Sequence, residues 1–239
     1  DFHLGSPDNH KSVIREKKIC RWLDSIYDKA KAIYLVGDIF DFWFEYKRVV
    51  PKNHVRVLGK LATMADNGLP IYFFVGNHDL WMFGYFEEEL NIPVYHKPQE
   101  FTFNNTSFFI GHGDGLGPGD KGYKRMKKLF TNPISKWMFQ RLLHPDFAMR
   151  LGNYLSVKNK LISGDDDAKF LGEDNEWLVQ YCKRKLEDKH RDYFVFGHRH
   201  LPLNIDLTQN SKYINLGDWI QYYTYGVFDG KKMELKTFK

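Results

Sequence analysis

Two histidines one residue apart are the clearest sign of chemistry in this sequence. The apolar run 193–196 leads into Gly197-His198-Arg199-His200. Two imidazoles just after a buried strand are typical of metal ligands, because neutral imidazole is the commonest metal-binding side chain in proteins. This segment therefore predicts a pair of metal ligands at the end of a strand.

Four further segments place polar side chains in the same way. They are Asp1-Phe2-His3, Gly37-Asp38, Gly76-Asn77-His78-Asp79 and Gly111-His112-Gly113-Asp114. The last three follow short apolar runs, and we expect a further short strand upstream of Asp1. Each glycine permits a sharp turn, and the carboxyl ends of the strands in an open α/β sheet meet at one edge. We therefore expect seven side chains to converge there: Asp1, His3, Asp38, Asn77, His112, His198 and His200.

The ligand atoms of this cluster are oxygen and imidazole nitrogen, with no thiolate among them. Such ligands suit manganese, iron or zinc in a catalytic centre better than structural zinc. Two divalent ions beside two ionised aspartates would leave a net charge of +2, which attracts a phosphoryl group. A pair of ions about 3.5–4 Å apart also lowers the pKa of a bridging water. Turn residues or strand-end caps would explain any one of these segments, but not all five in this order.

Alternating helices and strands must position these side chains. Apolar residues at helical spacing predict helices over 12–31, 53–66, 84–90 and 173–189. Strands are expected at 33–36, 71–75, 93–96, 100–103, 107–110 and 193–196. Turn residues predict a hairpin at Asn104-Asn105 and another, near the end, at Asp229-Gly230. This order predicts an α/β fold of mixed β-sheets layered with flanking helices.

The composition fits one globular domain. The chain has 239 residues, of which 43% are hydrophobic and 17% aromatic, unlike a disordered protein. The formal net charge of +5 is too small to indicate a nucleic-acid partner. Cys20 and Cys182 form no CxxC motif, and we expect them to be reduced thiols of a cytosolic protein. No run of 18 apolar residues predicts a membrane-spanning helix.

Residues 116–167 differ in composition from the rest of the single domain 1–239, and we expect them to form a helical lid inserted in it. Between Lys121 and Lys160, ten lysines and arginines accompany one acidic residue, Asp146, and many large apolar side chains. A basic, aromatic-rich helical segment indicates a surface that faces lipid. Helices that pack their apolar side on the main body are an equally good interpretation, and the two are compatible.

The five segments together resemble a known superfamily. Asp-x-His, Gly-Asp-x-x-Asp, Gly-Asn-His-Asp, Gly-His-x-Asp and Gly-His-x-His, in this order, are similar to the motifs of the calcineurin-like metallophosphoesterases. The resemblance implies a dinuclear centre whose two ions share Asp38. The ligands of one ion would be Asp1, His3, Asp38 and His200, and those of the other Asp38, Asn77, His112 and His198.

The same resemblance implies roles for residues beside the ligands. His78 would steady the transition state or protonate the leaving oxygen, with Asp79 orienting it and Asn77 completing the catalytic set. Asp41 and Asp114 would fix the tautomers of the imidazole ligands, although capping of their own loops is an equally good interpretation.

A narrower resemblance rests on the second half of the chain. Gly119-Asp120-x-x-Tyr123, the basic insertion, Ser156 and Leu216-Gly217-Asp218-Trp219 resemble the UDP-2,3-diacylglucosamine pyrophosphatase family of lipid A synthesis. That family hydrolyses a nucleotide-linked lipid at its α-phosphate, giving UMP and 2,3-diacylglucosamine 1-phosphate. Its well-studied members carry Gly-Asn-Arg-Asp, whereas this chain has His78, as in the broader superfamily.

The narrower resemblance also implies cofactors, location and contacts. It implies two divalent ions, manganese before iron or zinc, and a peripheral position on the cytoplasmic face of the bacterial inner membrane. The implied substrate contacts are Asp120, Tyr123, Ser156, Lys158, Lys160 and His198. Helix capping is an alternative for Asp120 and Ser156, and Trp43 lines either the mouth of the site or the core.

The sequence leaves two alternative functions open. One is a phosphodiesterase or phosphatase for another substrate, and the other is a non-catalytic scaffold of the same fold.

Overall fold

The computed structural model describes residues 1–117, 121–152, 154, 156, 169–170 and 172–239. Its helices are α1 Asn9–Tyr27, α2 Val55–Asp66, α3 Tyr85–Leu90, α4 Lys121–Phe130, α5 Pro133–Leu142, α6 with described residues 145–152, 154 and 156, and α7 Trp177–Asp188. The predicted substrate contacts Asp120, Lys158 and Lys160 lie outside the described residues.

The strands form two sheets and a hairpin. They are β1 Ile33–Val36, β2 Ile71–Phe74, β3 Val94–Tyr95, β4 Gln99–Phe103, β5 Thr106–Ile110, β6 Tyr193–Phe196, β7 Pro202–Thr208, β8 Ser211–Leu216, β9 Thr224–Phe228 and β10 Met233–Thr237. The first sheet has the order β1-β2-β3 and is parallel. The second has the order β4-β5-β6-β8-β7, with a parallel centre and antiparallel edges. The antiparallel pair β9 and β10 forms the hairpin expected near the end.

The two sheets pack face to face between layers of helices. Val36 and Phe74 of the first sheet share a buried cluster with Phe108, Ile110 and Val195 of the second. Alternate residues on the strands face outward and are covered by α1 and α2 on one side and by α7 on the other. Because both faces of the central strands are buried, those strands are apolar throughout. The mixed sheets with flanking helices confirm the predicted fold class.

The ends of some elements differ from the predicted ones for local reasons. Helix α1 begins at Asn9, three residues earlier than predicted, because the Asp8 carboxylate accepts the Lys11 N–H at 2.8 Å and caps the helix. Strand β3 covers only Val94–Tyr95, two residues fewer than predicted, and pairs with β2. Strand β7, which we did not predict, is an edge strand whose mixed burial gives it a weak apolar pattern.

Candidate metal centre

Four predicted ligands form a first cluster at the carboxyl ends of β1 and β6. Donor atoms of Asp1, His3, Asp38 and His200 all lie within 4.8 Å of one another. The two imidazoles approach most closely, with 3.0 Å between His3 Nε2 and His200 Nε2. Asp38 Oδ2 lies 3.7 Å from His3 Nε2. This geometry suits a single cation held by two carboxylates and two imidazoles.

A second cluster lies beside the first and shares Asp38 with it. Donor atoms of Asp38, His112 and His198 lie within 4.8 Å of one another. Asn77 Oδ1 completes the group, 3.2 Å from His112 Nε2 and 2.9 Å from His198 Nδ1. The fold therefore brings together all seven of the side chains that the sequence motifs single out, although they are spread over 200 positions.

The backbone at these ligands adopts a conformation that most residues avoid. His3, Asp38, His198 and His200 have φ angles of 47°, 51°, 70° and 52°, in the left-handed region. Strain of this kind costs about 1–3 kcal/mol per residue and persists only where the surroundings hold it in place. Gly76 permits the close packing, because a Cβ there would lie 2.2 Å from Asp38 Oδ1. The loops that carry the ligands are thus fixed by their surroundings.

Arg15 of α1 fixes the loop that carries the first two ligands. Its buried Nη1 donates to the carbonyl oxygens of Phe2, His3 and Ser6 at 3.1, 2.8 and 3.1 Å. One guanidinium nitrogen thereby gathers three carbonyls around the strained turn at His3. Nothing in the sequence marks this arginine, since it stands among many exposed charges of an amphipathic helix.

Hydrogen bonds orient the lone pairs of two imidazoles into the clusters. His112 Nδ1 donates to the Val36 carbonyl at 2.9 Å, so in a neutral His112 the lone pair of Nε2 is available to a cation. Asp38 Oδ2, which could bind the same cation, lies 3.4 Å from this nitrogen. His3 Nδ1 in the same way faces Asp41 Oδ1 at 3.2 Å. A carboxylate or carbonyl behind an imidazole is the arrangement that prepares it to bind a metal.

The pKa shifts reflect this crowded, buried environment. Burial lowers the pKa of His198 to about 4 and also lowers that of His200. At His112 burial opposes the charged form, but the Asp38 carboxylate outweighs it and raises the pKa. Burial also opposes ionisation of Asp38, yet His112 and His78 hold its pKa well below the usual value. Neutral His198 and His200 beside an ionised Asp38 are in the protonation states that bind a cation, whereas His112 would have to release its proton when a cation binds.

One buried carboxylate oxygen tests whether the site fits a cation. Asp1 Oδ2 accepts the His198 N–H at 2.9 Å, but Asp1 Oδ1 accepts no hydrogen bond from any residue in the described part of the chain. The nearest imidazole nitrogen, His200 Nε2, is 3.8 Å away. An unpaired buried carboxylate oxygen is costly, and a divalent ion would satisfy it. The residues present therefore fit a dinuclear metal site.

His78 lies next to both clusters without belonging to either, and its donor atom is within 4.8 Å of donor atoms of His3 and Asp41. Its Nδ1 donates to the Asp41 carbonyl at 2.9 Å and is 3.1 Å from Ser156 Oγ, while its N–H donates to Asp38 Oδ1 at 2.9 Å. Asp79 does not orient this ring as predicted. Its oxygens accept the N–H groups of Gly76 at 2.6 Å and Ile39 at 2.9 Å, so it braces two ligand loops.

The remaining predicted residues have varied environments. Asp41 Oδ2 accepts the Ser156 hydroxyl at 2.8 Å, which connects α6 to the first cluster. Asp114 accepts hydrogen bonds from Tyr123 at 2.5 Å and Lys127 at 2.6 Å. Its contacts thus lead to α4, and the orientation of an imidazole by Asp114 stays a prediction. Trp43 is fully buried in the core and does not line the mouth of the site.

Two supporting contacts escaped the sequence motifs. Arg199, between the paired histidines, forms a buried bidentate ion pair with Glu176 at 3.0 and 2.9 Å. Asp218 Oδ2 lies 4.0 Å from His200 Nδ1, and its Oδ1 accepts the N–H groups of 220–222. Both contacts hold the ligand loop after β6. Only the spatial proximity of distant residues reveals them.

The site can now be set beside known proteins. No protein-family model matches the chain. The chain is 34% identical over 253 residues to a UDP-2,3-diacylglucosamine hydrolase of Porphyromonas gingivalis, a match that covers 100% of this chain and 95% of that protein. The chain belongs to the UDP-2,3-diacylglucosamine hydrolase family. A hydrolase of the same name from Shewanella sp. strain MR-4 is 25% identical over 238 residues, covering 96% of this chain and 95% of that protein. The predicted resemblance is confirmed.

Solved structures resemble this hydrolase family member only distantly. A predicted phosphoesterase from Streptococcus pneumoniae gives a TM-score of 0.41 at 12% identity, covering 93% of this chain and 82% of that one. Vps29 of Entamoeba histolytica, solved with zinc, gives a TM-score of 0.40 at 11% identity, covering 90% of this chain and 79% of that one. Membership of the family therefore rests on the sequence identity.

Proposed function

We propose that this protein hydrolyses the pyrophosphate bond of UDP-2,3-diacylglucosamine to give UMP and 2,3-diacylglucosamine 1-phosphate, a step of lipid A synthesis. The observation that carries the proposal is the pair of buried donor clusters sharing Asp38. The full-length identity of 34% to a hydrolase named for this substrate supports the choice of substrate.

Two divalent ions, manganese before iron or zinc, are the proposed cofactors. When bound, such ions act as Lewis acids on a phosphoryl group and make hydroxide available at neutral pH. Asp1, His3, Asp38 and His200 are proposed to hold one ion. The ligands proposed for the other are Asp38, Asn77, His112 and His198. Oxygen and imidazole donors suit all three metals, so the order of preference rests on the family resemblance.

His78 is proposed to act on the phosphate or the leaving group. Because its Nδ1 donates to the Asp41 carbonyl, its other nitrogen, Nε2, is the atom that can transfer a proton. The side chain is 14% exposed, so a bound phosphate can reach it. Ser156 and Tyr123 stay candidate substrate contacts, as do Asp120, Lys158 and Lys160.

The helices α4 to α6 are proposed as a lid that faces the lipid part of the substrate and the membrane. Large apolar side chains are exposed on them, with Ile134 and Leu142 each 69% exposed and Trp137 57% exposed. Basic residues such as Arg125 and Arg141 accompany these side chains. Exposed apolar and basic groups together favour binding at a membrane surface. Among the described residues, no helix has the length and apolar content that a membrane span requires.

Hydrolysis in oxygen-18 water tests both the substrate and the bond that breaks. The manganese-loaded protein is incubated with UDP-2,3-diacylglucosamine dispersed in detergent, and the products are examined by mass spectrometry. Attack at the α-phosphate puts the label in UMP, whereas attack at the β-phosphate puts it in the lipid phosphate. Labelled lipid phosphate would refute the proposed bond, and unchanged substrate would refute the proposed function.

A soluble phosphodiester is the second candidate substrate. His78 favours it, because the broader superfamily carries Gly-Asn-His-Asp where the well-studied lipid enzymes carry arginine. A competition assay separates the two substrates. If a simple phosphodiester is hydrolysed with a higher kcat/KM than the lipid nucleotide, the second candidate replaces the first.

A further inference from the structure

A cavity of about 380 Å³ lies directly beside the second metal cluster. Its walls are the ends of β2 and β3 on one side and α4 on the other, and the loop 112–116 forms its floor. His112, a proposed metal ligand, is part of that floor. A cavity of this volume is large enough for a small ligand. A group bound there would adjoin a phosphate held at the metal centre.

The cavity carries an excess of positive charge. It is lined by Lys97, Lys124, Lys127 and Lys128, against the carboxylate of Asp114. Lys127 is paired with Asp114 at 2.6 Å, and Lys124 donates to the Gly117 carbonyl at 2.8 Å. Lys97 and Lys128 have no carboxylate partner within the described ranges. An anionic ligand would therefore be attracted to this cavity.

The two sides of α4 differ in chemistry. Lys124, Lys127 and Lys128 have the spacing of three and four residues that places side chains on one helical face, and this face lines the cavity. Met126 and Leu129 are 41% and 61% exposed and are not part of the lining. A phosphate is attracted to the lysine face, whereas acyl chains are not. The helix thus separates a basic surface from an apolar one.

We propose that this cavity binds the uridine monophosphate half of the substrate, with Lys97 and Lys128 providing its unpaired positive charge. The proposal rests on the proposed function, and it assigns the acyl chains to the opposite, apolar side of α4. The partly exposed ring of Tyr95 also lines the cavity and offers an apolar surface to a flat base. The α-phosphate, bonded to the nucleoside, would lie where the cavity meets His112.

Binding of UMP itself tests this subsite without any turnover. Equilibrium dialysis of the manganese-loaded protein measures the Kd of UMP for the native chain and for the Lys97→Ala/Lys128→Ala variant. We expect the variant to bind UMP about tenfold more weakly, as removal of two exposed charge contacts to an anion predicts. A matched variant, Lys17→Ala/Lys231→Ala, removes the same charge from exposed positions outside the cavity. It should bind UMP within about twofold of the native affinity.

Inhibition by the two products then separates the two halves of the substrate. In the Lys97→Ala/Lys128→Ala variant the KM for UDP-2,3-diacylglucosamine should rise about tenfold, with inhibition by 2,3-diacylglucosamine 1-phosphate unchanged. Equal loss of UMP affinity in both double variants, or weaker binding of the lipid phosphate alone, would overturn the proposal. If the native protein does not hydrolyse the lipid nucleotide, the proposed function fails. The UMP measurement still decides whether the cavity is a nucleotide subsite.

Discussion

Replacing Arg15 by methionine should release one metal ion and leave the other in place. The substitution keeps an unbranched side chain that can fill most of the space of the arginine stem, but it removes the nitrogen that donates to the carbonyls of Phe2, His3 and Ser6. Without these bonds the loop can relax from the left-handed conformation at His3. The ligands Asn77, His112 and His198 lie on other loops that Arg15 does not contact.

The size of the effect follows from the strain at His3. The turn costs about 1–3 kcal/mol, and in the variant the binding of the ion would have to supply that free energy. We therefore expect the affinity of the first site for manganese to fall about ten- to hundredfold. The second site should keep its affinity within about threefold, since its loops keep their contacts.

Manganese titration by calorimetry, combined with electron paramagnetic resonance, separates the two sites. The native protein should bind two ions with a spin-coupled signal, and the variant one tight ion with a mononuclear signal. Arg191→Met is the matched control, because Arg191 is equally buried and donates to the carbonyls of Lys185 and Lys189 far from the ligands. If Arg15→Met unfolds, Arg15→Leu, which also lacks a hydrogen-bond donor, serves in its place. Two tight ions in an Arg15 variant, or loss of one in Arg191→Met, would refute the reasoning.

Three further substitutions test other parts of the structure. Gly76→Ala should reduce binding of both ions and abolish turnover, because the added Cβ would lie 2.2 Å from Asp38 Oδ1; normal manganese stoichiometry would contradict this. His78→Gln should keep both ions but lower kcat by about 10²-fold, the range of general acid–base catalysis; an unchanged pH–rate profile would show that the ring transfers no proton. His54 is buried and its pKa is lowered from 6.5 to about 4, so the folded state binds fewer protons than the unfolded state between these values. The free energy of unfolding should therefore fall by about 2 kcal/mol from this residue as the pH drops from 7 to 5, and denaturant titration of His54→Phe should show a weaker pH dependence than that of the native chain.

The motifs allowed much of the site to be predicted because every ligand loop from Asp38 onward follows a strand. Strands such as β1 and β6 are continuous apolar runs, which local sequence reveals. Parallel neighbours such as β1 and β2 in one sheet, or β5 and β6 in the other, must end at a shared edge, so the side chains after them are close. The convergence of all seven side chains also requires the two sheets to pack face to face, which that rule does not predict.

The supporting contacts could not be predicted in this way. Arg15 and Glu176 have their partners at unrelated positions of the chain, and no periodic pattern distinguishes them from exposed charges nearby. The predicted role of Asp79 is wrong because adjacency to His78 in the sequence does not determine which groups the Asp79 carboxylate contacts. In the structure both oxygens of Asp79 turn to backbone N–H groups instead. Strand β7 was missed because an edge strand needs few apolar residues.

The hydrogen bond from the His198 N–H to Asp1 Oδ2 joins residues 197 positions apart. A second bond, from the Trp219 N–H to the Asp1 carbonyl, closes an even longer loop. A chain emerging from the ribosome cannot form these contacts until His198 and Trp219, respectively, have been synthesised. Such distant pairings form slowly, so the protein should become competent to capture its metals only in the last stage of folding.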